Sequence, residues 1–228
     1  MFYTNGKIIG VKRLLAYMKT EIELIPIILS KLNRKEVQND VHWHEEYLLI
    51  CCLTVLALIP FDLNALGSDI GRSIYDIGIE KVKDLTAGPL QPLGARLVGS
   101  LITRSDSGHL MDRFIEELLV EYSELPDVAK SGYLQSLNIS FQKDYNELKL
   151  IEKVPKIYGF LQKIQSEDIG DSKLEFILKI YSKLALYYTE LDDYDTIEDI
   201  IDFYNKNFSH RSTQLRSTLS RSFVKLLT

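Results

Sequence analysis

Residues 43–63 read Trp43-His44-Glu45-Glu46-Tyr47-Leu48-Leu49-Ile50-Cys51-Cys52-Leu53-Thr54-Val55-Leu56-Ala57-Leu58-Ile59-Pro60-Phe61-Asp62-Leu63. From Tyr47 to Ile59 only Thr54 is polar. A segment that is apolar all round is expected to be buried all round. It lacks turn residues and is too long for an ordinary buried strand, so it predicts a helix. Pro60 stops it, and Asp62 and Asn64 begin a loop. A membrane crossing needs about 20 apolar residues. This stretch falls short of that and carries Glu45, Glu46 and Asp62 at its ends, which predicts a core helix and no membrane span.

The same helical periodicity recurs on both sides. Ile8, Ile9, Val11, Leu14, Leu15 and Met18 share a face. Thr20-x-x-Glu23 fits a capping box, with Pro26 as a kink or restart soon after it. Ile70, Ile74, Ile77 and Val82 follow a cap at Ser68 or Asp69, and Gly88, Pro89 and Pro92 separate that helix from one at about 93–104. The helix at 109–122 has Met111, Phe114, Ile115, Leu118, Leu119 and Tyr122 on one side. Its other side carries Asp112, Arg113, Glu116, Glu117 and Glu121. Pro126 opens a weaker pattern through Leu134, Leu137, Ile139 and Phe141. A helix at about 145–165 is expected to kink at Pro155. Ser172-x-x-Glu175 predicts a capping box, Asp195 or Thr196 caps the next helix, and a last helix starts near Ser212. No two-residue alternation is long enough to compete. The prediction is an all-α chain of stacked helices with short connections.

Two motifs carry a family resemblance. Trp43-x-x-x-Tyr47, the aliphatic run and Leu58-Ile59-Pro60-Phe61-Asp62-Leu63 form the first. Leu101-Ile102-Thr103-Arg104-Ser105-Asp106 forms the second, at a fitting distance. Together they resemble the N-terminal part of the tubulin-specific chaperone D family, the tubulin-folding cofactors D. The resemblance is carried by residues 43–63 and 97–106, extends over about 6–122 and fades beyond. Cys52 stands where the family often has a second Trp, and Ser105 where it has Pro. The matched positions Trp43, Tyr47, Ile59, Pro60, Phe61, Asp62, Thr103 and Arg104 are expected to be chiefly structural. The resemblance implies a HEAT/armadillo-type helical-repeat solenoid. Family members are much longer, so residues 1–228 are expected to form a single solenoid segment, incomplete at both ends.

Composition bounds the function. The chain is 46% hydrophobic and 26% charged, which suits a soluble globular protein. Its net charge of -5 argues against a general nucleic-acid binder. No basic N-region with an apolar stretch and cleavage site opens it, so a cytoplasmic location is expected. Adjacent Cys51 and Cys52 point in different directions on a helix and are read as packing, not as a redox pair. His42 and His44 lie about 200° apart on a helix, unlike the one-face pair of a zinc site. Isolated His109 and His210 are read as surface or capping groups. Glu190 to Asp199 holds six acidic residues and no basic one, without the order of a calcium loop. It reads as a solvated acidic helix start, or as a patch for a basic partner. Arg211, Arg216, Arg221 and Lys225 scatter around the last helix. Tyr181, Tyr187, Tyr188, Tyr194 and Tyr204 are expected mostly in the core or lining a groove, although Tyr is also a common interface anchor.

Thr86-Ala87-Gly88-Pro89 lacks the amides of a phosphate loop, and acid, base and nucleophile nowhere converge. No catalytic residue, metal site or cofactor is expected, and the chain is read as a non-enzyme. The resemblance implies binding to β-tubulin after its release from chaperonin. It also implies assembly of the αβ-tubulin heterodimer with tubulin-folding cofactors C and E and an Arf-like small GTPase, and stimulation of tubulin GTP hydrolysis as part of that complex. The setting would be the cytoplasm or the microtubule cytoskeleton. The competing readings are a generic α-solenoid adaptor or scaffold, a membrane protein using residues 47–61, and an inactive fragment of a cofactor D-like protein.

Overall fold

The computed structural model describes residues 21–33, 43–67, 69–141, 151–165 and 169–227. The expected helix at 7–18, the Thr20 cap, the loop at 33–41 beyond Asn33, His42, Ser68 and the start of the helix expected from 145 lie outside them. Every regular element among the described residues is helical. In chain order these are α1 (Leu24–Asn33), α2 (Trp43–Leu56), α3 (Ile70–Lys83), α4 (Gln91–Leu101), α5 (Gly108–Glu121), α6 (Asp127–Ser140), α7 (Val154–Ile164), α8 (Asp171–Glu190), α9 (Tyr194–Asn207) and α10 (Thr213–Leu227). Short 3-10 turns lie between several of them. Two compact units form, Met1–Ser140 and Phe141–Thr228. None of the described helices is long and apolar enough to cross a membrane.

In the first unit α4 is the centre. From Leu93 to Leu101 every residue except Arg96 is buried, and the helix packs against α2, α3 and α6. An all-round contact of this kind needs small residues where axes cross. A Cβ on Gly94 would lie 2.8 Å from the Gly78 carbonyl oxygen of α3, and one on Gly99 would lie 2.6 Å from the Ser136 carbonyl oxygen of α6. The glycines therefore set the distances at which three helices meet.

The helix that decides the fold class is less enclosed than its sequence predicts. In α2 Tyr47, Ile50, Cys51, Leu53, Thr54 and Leu56 are buried, whereas Leu48, Leu49, Cys52 and Val55 are only half-buried. Thr54, the polar residue of the run, is satisfied inside the helix by donating from Oγ1 to the Ile50 carbonyl at 2.9 Å. The helix ends at Leu56, four residues before Pro60, and the chain leaves through Ala57–Ile59 in a turn.

Several expected boundaries move, each for a local reason. Pro92 and Pro155 fall in the first turn of α4 and α7, where a missing N–H costs nothing, so neither separates nor kinks a helix. The Ser172–Glu175 capping box does not form. Gly170 is the N-cap of α8, Ser172 lies inside the helix, and Glu175 instead accepts from Lys179 at 2.6 Å. Asp193, not Asp195 or Thr196, caps α9, accepting from the Thr196 amide at 3.1 Å and its hydroxyl at 2.8 Å. Asp69 flanks α3 without a side-chain cap bond. On α5, Leu119 is exposed, while Glu117 turns inward with its side chain 13% exposed.

The second unit is built around α8, which packs against α7, α9 and α10. Tyr181 and Tyr204 are fully buried and Tyr188 nearly so, whereas Tyr194 is exposed. The Tyr204 hydroxyl is anchored on the Leu178 carbonyl at 2.7 Å.

Candidate functional site

The two sequence motifs meet at the end of α2, through residues 42 to 47 positions apart in the chain. Arg104 emerges just after α4 in extended conformation. Its Nη1 donates to the carbonyls of Ala57 at 2.9 Å and Ile59 at 2.7 Å. Its Nη2 donates to the Phe61 carbonyl and to Asp106 Oδ2 at 2.6 Å, and its Nε donates to Asp106 Oδ1 at 2.8 Å. A guanidinium has five N–H donors, and all are used. The carbonyls at and beyond a helix C-terminus lack partners within the helix, and here one side chain supplies them. Asp106 also accepts the Leu63 amide at 3.0 Å, and Asn64 donates to the Asp106 carbonyl at 3.4 Å.

Burial alone would raise the Asp106 pKa. Hydrogen bonds from Arg104, the Leu63 amide and Ser107 outweigh that cost and hold the carboxyl below its usual range. The clasp is thus an ion pair with side chains 9% and 14% exposed. It fixes the Ala57–Leu63 turn, which shows solvent Leu58 at 47% and Phe61 at 37% exposure. Asp62 caps the following 3-10 turn by accepting the Asn64 amide at 2.9 Å.

The remaining matched positions lie in the turn, at the end of α4 and in the first part of α2. Ile59 is half-buried and Pro60 exposed within the turn. Thr103 is buried and donates to the Ser100 carbonyl at 2.7 Å, closing α4. Tyr47 is buried in α2. Trp43, at the start of α2, stacks on His44 with centroids 3.6 Å apart, away from the clasp in sequence.

A second polar constellation crosses α3, α5 and α6, and the sequence had assigned its centre to solvent. Glu117 accepts from the Tyr133 hydroxyl and from Arg113 Nε, each at 2.9 Å. Arg113 also pairs with Asp76 at 2.8 Å and lies 4.7 Å over the Tyr75 ring, while Lys83 pairs with Glu121 at 2.7 Å. Burial, and then the Glu117 charge, push the Tyr75 and Tyr133 phenols up, so both remain protonated. The Tyr75 hydroxyl faces that carboxylate without a well-formed hydrogen bond. Phenols held this way are donors, not bases. A third pair, Lys81 with Glu46 at 2.5 Å, ties α3 to α2.

The other singled-out residues take structural places. Burial pushes the Cys51 thiol up to about 12 and also raises that of Cys52, and neither is bridged. His210 accepts the Ser212 amide at 3.1 Å on its Nδ1, and Arg216 donates to the His210 carbonyl at 2.7 Å. His109 is exposed. No group of three His, Cys, Asp or Glu among the described residues is arranged to hold a metal ion.

The first unit is all-helical among its described residues, with a central helix crossed at glycines and a turn pinned by one arginine, an arrangement that suits a helical-repeat protein. A family model described as tubulin-specific chaperone D-like, ARM repeat, matches residues 1–122, more than half of the chain. The chain belongs to that family and has its armadillo-type helical-repeat fold. No curated protein and no solved structure matches it.

Proposed function

We propose that the chain is a cofactor D-like interaction protein that binds β-tubulin and assists αβ-tubulin heterodimer assembly after chaperonin release. The observation that supports this is membership of the tubulin-specific chaperone D-like family over residues 1–122. Within that reading it acts with tubulin-folding cofactors C and E and an Arf-like small GTPase. It contributes to tubulin GTP hydrolysis as a partner, with no nucleotide site or catalytic residue of its own, in the cytoplasm or at microtubules. The Ala57–Leu63 turn suits a contact role. Leu58 and Phe61 are exposed apolar groups on backbone already immobilised by Arg104, so little further ordering is required on binding.

Sedimentation velocity of the whole chain with αβ-tubulin tests this. A faster boundary containing both proteins is expected, and it should weaken for Leu58→Ser with Phe61→Ser. A helical, monomeric chain that leaves the tubulin boundary unchanged would refute the proposal and favour a generic adaptor.

A further inference from the structure

The sequence sets Leu119 in the apolar stripe of α5 and Glu117 in water, and the fold reverses the two. Met111, Phe114, Ile115 and Leu118 are buried, whereas Leu119 is 41% and Val120 76% exposed. The Val120 value is the highest of any large apolar side chain among the described residues. Leu119 and Glu117 lie on opposite flanks of the buried stripe, so drawing Leu119 inward would carry Glu117 outward. The bond from the Tyr133 hydroxyl to Glu117 and the Arg113–Asp76 pair oppose that turn. A largely buried carboxylate with exposed aliphatic neighbours runs against the usual ordering, and such departures collect at functional surfaces.

By helical spacing His109, Asp112, Glu116, Leu119 and Val120 share the outward face of α5, and each is exposed. That face carries two carboxylates and no Lys or Arg. Glu116 lies one turn from both Leu119 and Val120 and forms no ion pair among the described residues. The cations beside α5 are engaged elsewhere, Arg113 by Asp76 and Glu117, Lys83 by Glu121, and Lys130 against the Tyr122 ring at 5.5 Å. Glu124 and Asp127 stand exposed just past the end of the helix. The face is thus apolar at its C-terminal end and acidic on both sides of that end.

We propose that the outward face of α5 docks a basic amphipathic helix of a partner protein. Aliphatic side chains of that helix would cover Leu119 and Val120, and its Lys or Arg side chains would pair with Glu116 and lie beside Asp112. A second copy fits badly, because a two-fold contact sets this face against itself and brings carboxylate to carboxylate. An anionic lipid surface is repelled by the same charges. Leu119 and Val120 lie at the end of α5 remote from Asp106 and the turn it holds, and the proposal does not depend on tubulin binding.

The test uses the whole chain and a fluorescein-labelled peptide of about 18 residues, built of leucine, lysine and alanine with the leucines on one helical face, read by anisotropy. A matched peptide of the same composition has its leucines dispersed around the helix. The amphipathic peptide is expected to bind about tenfold more tightly than the dispersed one. Leu119→Ser with Val120→Ser should weaken it by about tenfold, and Glu116→Lys several-fold. Leu191→Ser, at an exposed residue of the second unit, and Leu58→Ser with Phe61→Ser should leave it unchanged. Circular dichroism checks that each variant keeps its helicity. Val120→Ser alone, at the most exposed position, should weaken binding several-fold and replaces the double variant if that one loses helicity. Equal binding of the two peptides, binding insensitive to Val120→Ser and Glu116→Lys, or no binding would each overturn the proposal. So would a dimer of the chain alone, seen by sedimentation and lost in Leu119→Ser with Val120→Ser, which would make the face a contact between copies.

Discussion

Replacing Arg104 by Ala removes five hydrogen bonds, three to the carbonyls beyond the end of α2 and two to Asp106. The Ala57, Ile59 and Phe61 carbonyls each lose a donor, of which Ile59 keeps the Phe61 amide, and Asp106 loses its cation while keeping the Leu63 amide. Breaking a largely buried ion pair by deleting one partner costs about 3–5 kcal/mol. The exposure of the pair, 9% and 14%, places this site in that regime and not with surface pairs. Water entering the vacated space would serve some of the carbonyls, so the bonds do not add at full value. We expect about 4 kcal/mol. For a unit of this size that lowers the melting midpoint by roughly 10 °C or more. Trp43 is the single tryptophan and lies in the first unit, so its fluorescence during urea unfolding follows that unit. Arg104→Lys keeps the charge but loses the planar fork, and should cost about half as much. The Leu63 amide, which donates to Asp106, should exchange with solvent faster in Arg104→Ala. A loss below about 1 kcal/mol, with Leu63 exchange unchanged, would refute the clasp as the element that fixes this turn.

Asp106 is held below the usual carboxylate range in the folded chain. Its contribution is therefore complete above the unfolded pKa and is lost as pH falls through the folded one. Urea midpoints measured downward from about pH 5 should fall in the native chain, and fall less steeply in Asp106→Asn, which starts from lower stability. Gly99→Ala places a Cβ 2.6 Å from the Ser136 carbonyl oxygen and should cost at least about 2 kcal/mol in urea unfolding. Gly159→Ala, within α7 with nothing inside 4 Å, should instead stabilise by about 0.5–1 kcal/mol. At pH 8, a thiol reagent should leave Cys51 unmodified in the folded chain, because burial has pushed its thiol up to about 12. Both cysteines should react once urea unfolds it. Rapid labelling of Cys51 in the native state would contradict its placement.

The sequence disclosed what depends on period and composition, and much less of what depends on partners across the fold. The helix at 43–56 and its end before Pro60 follow from an apolar run without turn residues. The two motifs were visible separately, but their meeting was not. Nothing local in Arg104 says that it reaches Ala57, Ile59 and Phe61, although an Arg beside Asp106 just after a helix was a sign of a fixed geometry. The inward turn of Glu117 was missed because a charged residue on an acidic helix face ordinarily stays in water. It is admitted here by Tyr133 and Arg113, which arrive from another helix and from one turn earlier. The capping errors have one origin. A Ser, Thr or Asp near a helix start is a competent cap only at one position, and glycine at 170 or Asp193 took it.

The clasp bears on what family membership conveys about function. Arg104 spends every donor on this chain's own backbone and on Asp106, so it has none left for a partner. Thr103 and Tyr47 are buried, and the Thr103 hydroxyl is spent on Ser100. Arg104 therefore specifies the turn, while Thr103 and Tyr47 serve packing and the end of α4, roles that would serve equally in any protein needing this fold. Within the proposed function, the side chains that the turn exposes without using them are the ones left for a contact. Leu58 and Phe61 meet that condition, being apolar, solvent-facing and mounted on backbone that Arg104 holds. Substitutions at the two kinds of position should then separate. Leu58→Ser and Phe61→Ser should change partner affinity at nearly constant stability, whereas Arg104→Ala should change both together.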